Sequence, residues 1–171
     1  MRPEHILGIL GVETVWGRNT GNLPLVGVLQ ERAKENEGGN PTKRAVQSAN
    51  DLLALARLSA TERLGGRLPA DIKGSYAGAM GIPQFLPTSW EAYARTPQGK
   101  TLDPFDFATA AYSVGNYLRV HGYSRDVSKS IMAYNHSQAY VDKVLGLSAD
   151  VKAGLDKAKA GGPAPAQPLN K

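Results

Sequence analysis

The sequence predicts a mainly α-helical single domain, and three observations lead to this prediction. Apolar residues recur with helical spacing in several segments of the 171-residue chain. No segment of useful length alternates apolar and polar residues as a half-buried strand does. Hydrophobic residues make up 42% of the chain and charged residues 20%, which is typical of a globular protein with its own core. We expect the domain to span residues 1–150, and residues 151–171 to form a helix end and a flexible tail rich in Gly, Pro and Ala.

The first predicted helix begins near Pro3, because proline is favoured in the first turn of a helix. The positions i, i+3, i+4 and i+7 share one helical face, and they are occupied by Ile6, Ile9, Leu10 and Glu13. We expect Gly17 and Gly21 to end the helix. A carboxylate therefore continues an otherwise apolar face.

Glu13 is the candidate catalytic residue of this helix. Burial on an apolar face disfavours the charged carboxylate and raises its pKa, as a general acid working near neutral pH requires. The alternative is a structural carboxylate that caps a loop or pairs with Arg18. The first helix alone leaves both interpretations open.

Residues 22–41 are rich in Gly, Asn, Pro and charged residues, which predicts a surface excursion. A second helix is predicted from about Thr42 to the Gly65-Gly66 pair. Its inward face is expected to comprise Val46, Ala49, Leu53 and Ala56, widened by Leu52 and Leu55.

Residues 73–87 contain too much glycine for a long helix. Small residues let the backbone approach a ligand or another helix closely. Ser75 and Gln84 offer a hydroxyl and an amide, which suit the hydroxyl and N-acetyl groups of a sugar. Tight helix packing is the neutral interpretation of the same segment.

Further helices are predicted in the second half of the chain: a short one capped by Thr88 or Ser89, one from Asp103-Pro104 to Gly122, and a pair at 125–134 and 137–145. The helix that ends at Gly122 has an inward stripe of Phe107, Ala110, Ala111, Val114 and Leu118. Trp16 and Trp90 are expected in the core. Residues 133–140 combine two tyrosines, whose rings stack on pyranose faces, with an asparagine that can orient a polar substituent.

Charge and composition exclude several kinds of partner. The formal charge is +5 and the sequence pI about 9.5, but the basic residues are scattered, so we expect no nucleic-acid binding. No apolar run is long enough to predict an integral membrane segment. Cysteine is absent, and His5, His121 and His136 lack metal-ligand spacing, so they are expected at the surface or at helix ends. We predict no metal and no cofactor.

Three motifs, taken together, resemble one family. They are Gly-Val-Glu-Thr at 11–14, Gly-Ser-Tyr-Ala-Gly-Ala-Met-Gly-x-x-Gln-Phe-x-Pro at 74–87, and Tyr-Asn-His-Ser-x-x-Tyr-Val at 134–141. In their order, spacing and residue identities, these motifs resemble those of membrane-bound lytic transglycosylase B and its relatives, glycoside hydrolase family 103. The resemblance covers residues 3–146.

The resemblance implies a lysozyme-like fold with a substrate cleft between helical lobes. It also implies cleavage of the MurNAc-β-1,4-GlcNAc bond of peptidoglycan with formation of 1,6-anhydro-MurNAc ends. The family's acid/base glutamate falls on Glu13, which serves first as acid and then as base. The family's glycan-contacting residues fall on Ser75, Gln84, Tyr117, Tyr134, Asn135 and Tyr140.

The sequence departs from this family in two segments. Some relatives carry a calcium-binding loop, but residues 96–103 supply one carboxylate, Asp103, where such a site needs several oxygen ligands at alternate positions. We therefore predict no calcium here. Residues 29–41 are charged and glycine-rich where the family has aromatic and arginine-rich sequence.

Two alternatives to a transglycosylase stay open. A hydrolytic muramidase of the goose type uses the same single glutamate but delivers water to the sugar, and a peptidoglycan-binding module keeps the fold without catalysis. The expected partner is the glycan strand of a bacterial cell wall, and an envelope-spanning or secretion machine is a further candidate. We expect a monomer in the periplasm or cell envelope, with a phage-associated or secreted origin as the alternative.

Overall fold

The computed structural model describes residues 1–160, which form seven α-helices and four two-residue strands. The helices are α1 (Pro3–Thr14), α2 (Leu25–Ala33), α3 (Lys43–Ala60), α4 (Pro87–Tyr93), α5 (Phe107–Val120), α6 (Val127–Tyr134) and α7 (Gln138–Ala160). The strands are β1 (Leu23–Pro24), β2 (Asn36–Glu37), β3 (Asn40–Pro41) and β4 (Lys73–Gly74). β1 pairs antiparallel with β4, and β2 with β3. The predicted mainly α fold is confirmed.

The helices enclose two hydrophobic cores. The core of the first lobe is formed by α1, α5, α6 and α7 and includes Ile9, Leu10, Val114, Leu118, Ile131, Val141 and Val144. The core of the second lobe lies around α2, α3 and α4 and includes Leu25, Leu29, Leu55, Leu58, Phe85 and Trp90. Tyr117 and Tyr134 pack against both cores, so they mark the seam between the two lobes.

α1 and α7 approach each other closely, because α1 has glycine at the point of contact. An added Cβ on Gly8 would overlap the Ser148 hydroxyl and lie 2.9 Å from the Val144 carbonyl oxygen. Ser148 is buried, and its Oγ donates to that carbonyl at 2.7 Å. This packing brings the end of α1 beside the beginning of α7.

The segment 22–41 differs from its prediction as a surface excursion. It contains α2, whose Leu25 and Leu29 are fully buried, and the β2–β3 hairpin. Apart from Gly27, which lies within α2, the Gly and Asn residues stand at the two ends of the segment, so the overall composition does not reveal the short helix between them. The prediction of no strands of useful length agrees with four strands of two residues each.

The predicted inward face of α3 is correct at Leu55, which is buried, but wrong at Val46 and Leu53, which are 52% and 59% exposed. The other buried positions are Ala45, Ser48, Asp51, Ala54 and Leu58. The buried face includes Asp51, whose carboxylate accepts hydrogen bonds from α4. Its Oδ1 accepts from the backbone N–H of Thr88 at 3.0 Å and from the Thr88 hydroxyl at 2.7 Å. Thr88 and Ser89 were predicted to cap α4, but they lie inside it and do not cap it. Asp51 of α3 accepts from the first turn of α4 instead.

Several helix boundaries also differ from expectation. α1 ends at Thr14, before Gly17, and α7 runs from Gln138 to Ala160 without a break, where a helix at 137–145 was predicted. The predicted flexible tail falls on residues from 161 onward, which lie outside the described part of the chain. Among residues 1–160, no helix has the length and apolar character needed to cross a membrane.

Candidate active site

Glu13 lies in the last turn of α1, half-buried, and faces the first turn of α7. The Tyr140 hydroxyl donates a hydrogen bond to its Oε1 at 2.6 Å. These residues are 127 positions apart in sequence and meet because α1 and α7 pack against each other. With Oε1 engaged by Tyr140, the neutral acid carries its proton on Oε2.

Burial raises the pKa of the Glu13 carboxyl, since a charged carboxylate is poorly solvated there. The Tyr140 hydrogen bond and the positive charge of Lys143 act in the opposite direction, but burial dominates. Lys143 lies one turn after Tyr140 on α7 and is exposed. Glu13 therefore keeps its proton to a higher pH than an ordinary glutamate, which is the condition for a general acid.

Aromatic side chains continue from Tyr140 into the seam between the lobes. The rings of Tyr140 and Tyr134 are nearly parallel with centroids 6.4 Å apart, and Tyr134 meets Tyr117 edge-on at 5.0 Å. Phe85 packs on Tyr134 at 5.5 Å. Burial raises the pKa of Tyr117 to about 12, and also raises those of Tyr134 and Tyr140. All three hydroxyls therefore stay neutral and able to donate.

The hydroxyls of Tyr117 and Tyr134 are already bonded within the protein. Tyr117 donates to the Ala133 carbonyl at 2.7 Å, and Tyr134 donates to the Pro83 carbonyl. These bonds fix the two rings. A cavity of about 130 Å³ lies beside them, lined by Gln84, Phe85, Leu86, Ser89, Tyr117 and Tyr134.

Gln84 belongs to this cavity and is held in an unusual backbone conformation, with φ of 49°. Its Nε2 donates to the Gly81 carbonyl at 2.8 Å and to the Thr20 carbonyl at 3.1 Å. Both amide protons are therefore committed to the backbone, and the amide oxygen is the atom left to accept from a ligand.

Ser75 and Asn135 are not bonded to this set. The Ser75 Oγ accepts from the Ala79 N–H at 3.2 Å and closes a turn. Asn135 directly follows Tyr134 and is exposed at the end of α6. Among the described residues, neither side chain is hydrogen-bonded to Glu13 or to the tyrosines. Contacts within the protein thus connect Glu13, Tyr140, Tyr134, Tyr117 and Gln84, whereas the side chains of the other two predicted residues make no such contact.

Sequence reasoning missed Thr14, whose hydroxyl lies where α1 meets the loop 81–84. Thr14 is 1% exposed, and its Oγ1 donates to the Ile82 carbonyl at 3.1 Å. The chain then reverses through Val15 and Trp16, both left-handed, with φ of 52° and 54°. Such a conformation costs about 1–3 kcal/mol for each non-glycine residue and persists only where the surroundings enforce it. The sequence signals for Thr14 were its adjacency to Glu13 and its place in the Gly-Val-Glu-Thr motif at 11–14.

One prediction on a single residue needs correction. Trp16 was expected in the core but is 42% exposed, because its indole lies against Gly11 on the flank of α1 and donates to the Leu7 carbonyl at 3.0 Å. His5 lies in the first turn of α1, at a helix end as predicted, where it is buried and bonded to the Tyr123 hydroxyl at 2.7 Å. Trp90 is fully buried, as predicted.

Other carboxylates near the seam have structural partners. Asp106 and Asp126 cap α5 and α6, and Asp103 pairs with Arg67 at 2.7 Å. Over residues 1–160, no group of three or more His, Asp or Glu side chains is arranged to hold a metal ion. A larger cavity of about 520 Å³ lies around residues 64–68, which do not include any predicted site residue.

Replacing Tyr140 with Phe is expected to raise the pKa of Glu13 further, because the bond that stabilises the carboxylate is lost. If Glu13 acts as an acid, the alkaline limb of the pH–rate profile will move to higher pH. The profile of the variant is measured beside that of Tyr112→Phe, which changes an exposed tyrosine on α5. If the alkaline limb of Tyr140→Phe stays where it is in the wild type, this hydrogen bond does not influence the pKa of the catalytic acid.

Comparison with known proteins adds the following findings. The model of the family described as Transglycosylase SLT domain matches residues 1–129. Membrane-bound lytic murein transglycosylase B of Escherichia coli strain K12 is 32% identical over 168 residues, which are 98% of this chain and 43% of that protein. The chain therefore spans less than half the length of this relative.

Solved structures confirm the fold. That of the E. coli lytic transglycosylase Slt35 in complex with bulgecin A superposes with a TM-score of 0.79 at 24% identity, covering 90% of this chain and 67% of that one. The structure of SltB3 from Pseudomonas aeruginosa in complex with NAG-anhNAM-pentapeptide superposes with a TM-score of 0.73 at 21% identity. The match covers 87% of this chain and 56% of that one. The expected lysozyme-like architecture is thus confirmed.

Proposed function

We propose that this chain, which belongs to the Transglycosylase SLT domain family, is a peptidoglycan lytic transglycosylase with Glu13 as its acid and base. The observation that carries the proposal is the half-buried Glu13 carboxyl, whose pKa is raised by burial and whose Oε1 is held by Tyr140. The name of the 32%-identical E. coli relative and the glycan fragment bound to SltB3 support the substrate class.

In the first step, protonated Glu13 donates to the oxygen that joins N-acetylmuramic acid to N-acetylglucosamine. The bond from C1 to this oxygen breaks, and C1 acquires oxocarbenium character. In the second step, the ionised Glu13 removes the proton of the C6 hydroxyl, whose oxygen bonds to C1 and closes the 1,6-anhydro ring. Glu13 ends protonated, and no water is consumed.

One carboxylate suffices for this sequence of steps. Asp103, Asp106 and Asp126 are engaged elsewhere, in an ion pair and in two helix caps, and none is proposed as a second catalytic acid. The substrate's N-acetyl carbonyl takes the place of a second carboxylate by stabilising C1, oriented by Asn135 or Ser75.

The remaining residues bind the glycan. Tyr134 and Tyr117 contribute ring faces, because their hydroxyls are bonded to backbone carbonyls. Gln84 accepts from a sugar hydroxyl or amide through its free oxygen, and Tyr140 contacts the sugar beside Glu13. The 130 Å³ cavity at Gln84 and Tyr134 is the place where a polar sugar substituent is held.

The proposed partner is the peptidoglycan glycan strand, and the proposed location is accordingly the periplasm or cell envelope. A monomer suffices for this chemistry, because Glu13, Tyr140, Tyr134 and Gln84 are brought together within one chain. Local opening of the wall for an envelope-spanning machine is a role consistent with this chemistry, as is a role in phage entry or lysis.

Mass spectrometry of digested cell wall tests the proposal. We expect products that end in 1,6-anhydro-MurNAc, because the C6 hydroxyl of the sugar acts as the nucleophile. Products heavier by one water, with a reducing end, would identify a hydrolytic muramidase of the goose type. Retained binding to sacculi without any soluble product would identify a binding module.

A further inference from the structure

We propose that Thr14 is a positioning residue, which fixes Glu13 relative to the loop 81–84. This inference rests on the proposed function of Glu13. Thr14 directly follows Glu13 and is almost fully buried. Its Oγ1 shares one proton between the carbonyls of Ile82, at 3.1 Å, and Leu10, at 3.3 Å. The same oxygen accepts from the Gly17 N–H at 2.9 Å.

The loop 81–84 is a suitable reference for Glu13 because it is anchored from several directions. The Ile82 N–H donates to the Pro104 carbonyl at 2.8 Å, and the Pro83 carbonyl accepts from Tyr134. Gln84, one of the proposed glycan contacts, is the last residue of the loop. A bond from Thr14 to Ile82 therefore ties the end of α1 to the segment that holds part of the proposed binding site.

The same hydroxyl stabilises the reversal that ends α1. Val15, Trp16 and Gly17 all have positive φ, of 52°, 54° and 89°, and the bond from the Gly17 N–H to Thr14 closes this turn. Without it, the two non-glycine residues lose a contact that holds them in a disfavoured conformation. Glu13 is the residue immediately before this turn, so relaxation of the turn moves its backbone.

Glu13 is thus held from two sides. Tyr140 of α7 holds its carboxylate, and Thr14 holds its backbone against the loop 81–84. Valine has the shape of threonine without the hydroxyl, so packing alone does not require threonine here. The hydroxyl is needed because it bonds to three backbone groups, at Leu10, Gly17 and Ile82, and joins two segments of the site.

Thr14→Val tests the inference. We expect kcat on soluble glycan strands to fall by about 10- to 100-fold, because a small displacement of a catalytic group has a large effect on rate. KM is expected to change by less than about threefold, since the proposed glycan contacts are kept. Thr14→Ser keeps the hydroxyl and is expected to restore kcat to nearly the wild-type value.

Thr109→Val is the matched control. Thr109 is also fully buried, and its Oγ1 bonds to Asp106 at 2.9 Å, at the beginning of α5. This variant is expected to lose stability, measured as Tm, without the selective loss of kcat. If Thr14→Val does not fold, Thr14→Cys replaces it, because a thiol of similar size is a weaker donor. Its kcat is expected between those of the wild type and an inactive enzyme.

Two outcomes overturn the inference: a kcat of Thr14→Val or Thr14→Cys equal to that of the Thr109→Val control, or failure of Thr14→Ser to restore kcat. Wild-type protein and Glu13→Gln are assayed in parallel. Absence of anhydro products from wild-type protein, or full activity of Glu13→Gln, refutes the proposed function itself. If both behave as proposed and Thr14→Val keeps its kcat, only the positioning role is refuted.

Discussion

Glu13→Gln is expected to lower kcat for peptidoglycan cleavage by at least about 10³-fold, because one residue supplies both the acid and the base. Glutamine keeps the size of the side chain and still accepts from Tyr140 through its amide oxygen, but its amide N–H is not acidic enough to transfer a proton to the glycosidic oxygen. Release of anhydro-muropeptides, followed over time, measures the effect. Binding to sacculi is expected to persist, because the aromatic contacts are unchanged.

The same variant makes an independent prediction about stability. The pKa of Glu13 is raised in the folded state by burial, while in the unfolded chain it has its ordinary value of about 4.3. Below that value both states are protonated, and no charge is buried. As pH rises through the raised pKa, the folded protein must bury a carboxylate and loses stability.

Glutamine carries no charge at any pH, so Glu13→Gln escapes this loss. The difference in Tm between the variant and the wild type is therefore expected to increase, in favour of the variant, from about pH 4 to about pH 8. Full activity of Glu13→Gln would exclude Glu13 as the acid. A Tm difference independent of pH would show that its carboxyl is not buried as described.

The buried face of a helix could be predicted where its apolar residues mark that face. The inward stripe predicted for α5 is correct at Ala110, Val114 and Leu118, which are fully buried and apolar. In α3 the same reasoning failed at Val46 and Leu53, which are exposed, whereas Ser48 and Asp51 lie inside the protein. Periodicity assigns polar residues to the solvent side, and only the fold reveals that Asp51 binds α4.

The motifs predicted which residues belong to the candidate site, but they did not predict the hydrogen bonds that connect these residues. The helical spacing of Glu13 with Ile9 and Leu10 correctly indicated a carboxyl group shielded from solvent, and α1 indeed packs this face into the first core. The bonds from Tyr140 to Glu13 and from Thr14 to Ile82 join residues 127 and 68 positions apart. Such pairs arise from the packing of complete helices, about which local patterns carry no information.

The second large effect is expected from Gly8→Val in α1. A Cβ at this position would overlap the Ser148 hydroxyl and stand 2.9 Å from the Val144 carbonyl oxygen, and the further methyl groups of valine increase the overlap. Overpacking of this kind costs about 3 kcal/mol. For a domain of this size, the expected fall in Tm is about 6–12 °C, measured by thermal unfolding.

Gly146→Ala in α7 is the matched control, because an added Cβ there meets nothing within 4 Å. Alanine is the better helix former, so this variant is expected to gain about 1 kcal/mol. Adding Ser148→Gly to Gly8→Val removes the overlapping hydroxyl and is expected to recover part of the loss, whereas the Val144 carbonyl stays in place. A Gly8→Val protein as stable as the wild type would contradict the close contact of α1 and α7.

The Gly8→Val variant also links packing to catalysis. α7 carries Tyr140, and α1 carries Glu13, so a wider separation of the helices lengthens their 2.6 Å hydrogen bond. The pKa of Glu13 is then expected to change as it does in Tyr140→Phe, with the alkaline limb of the pH–rate profile at higher pH. If the alkaline limb shifts in the same direction in both variants, the contact of Gly8 with α7 influences the pKa of Glu13. Glu13 lies about one and a half turns further along α1.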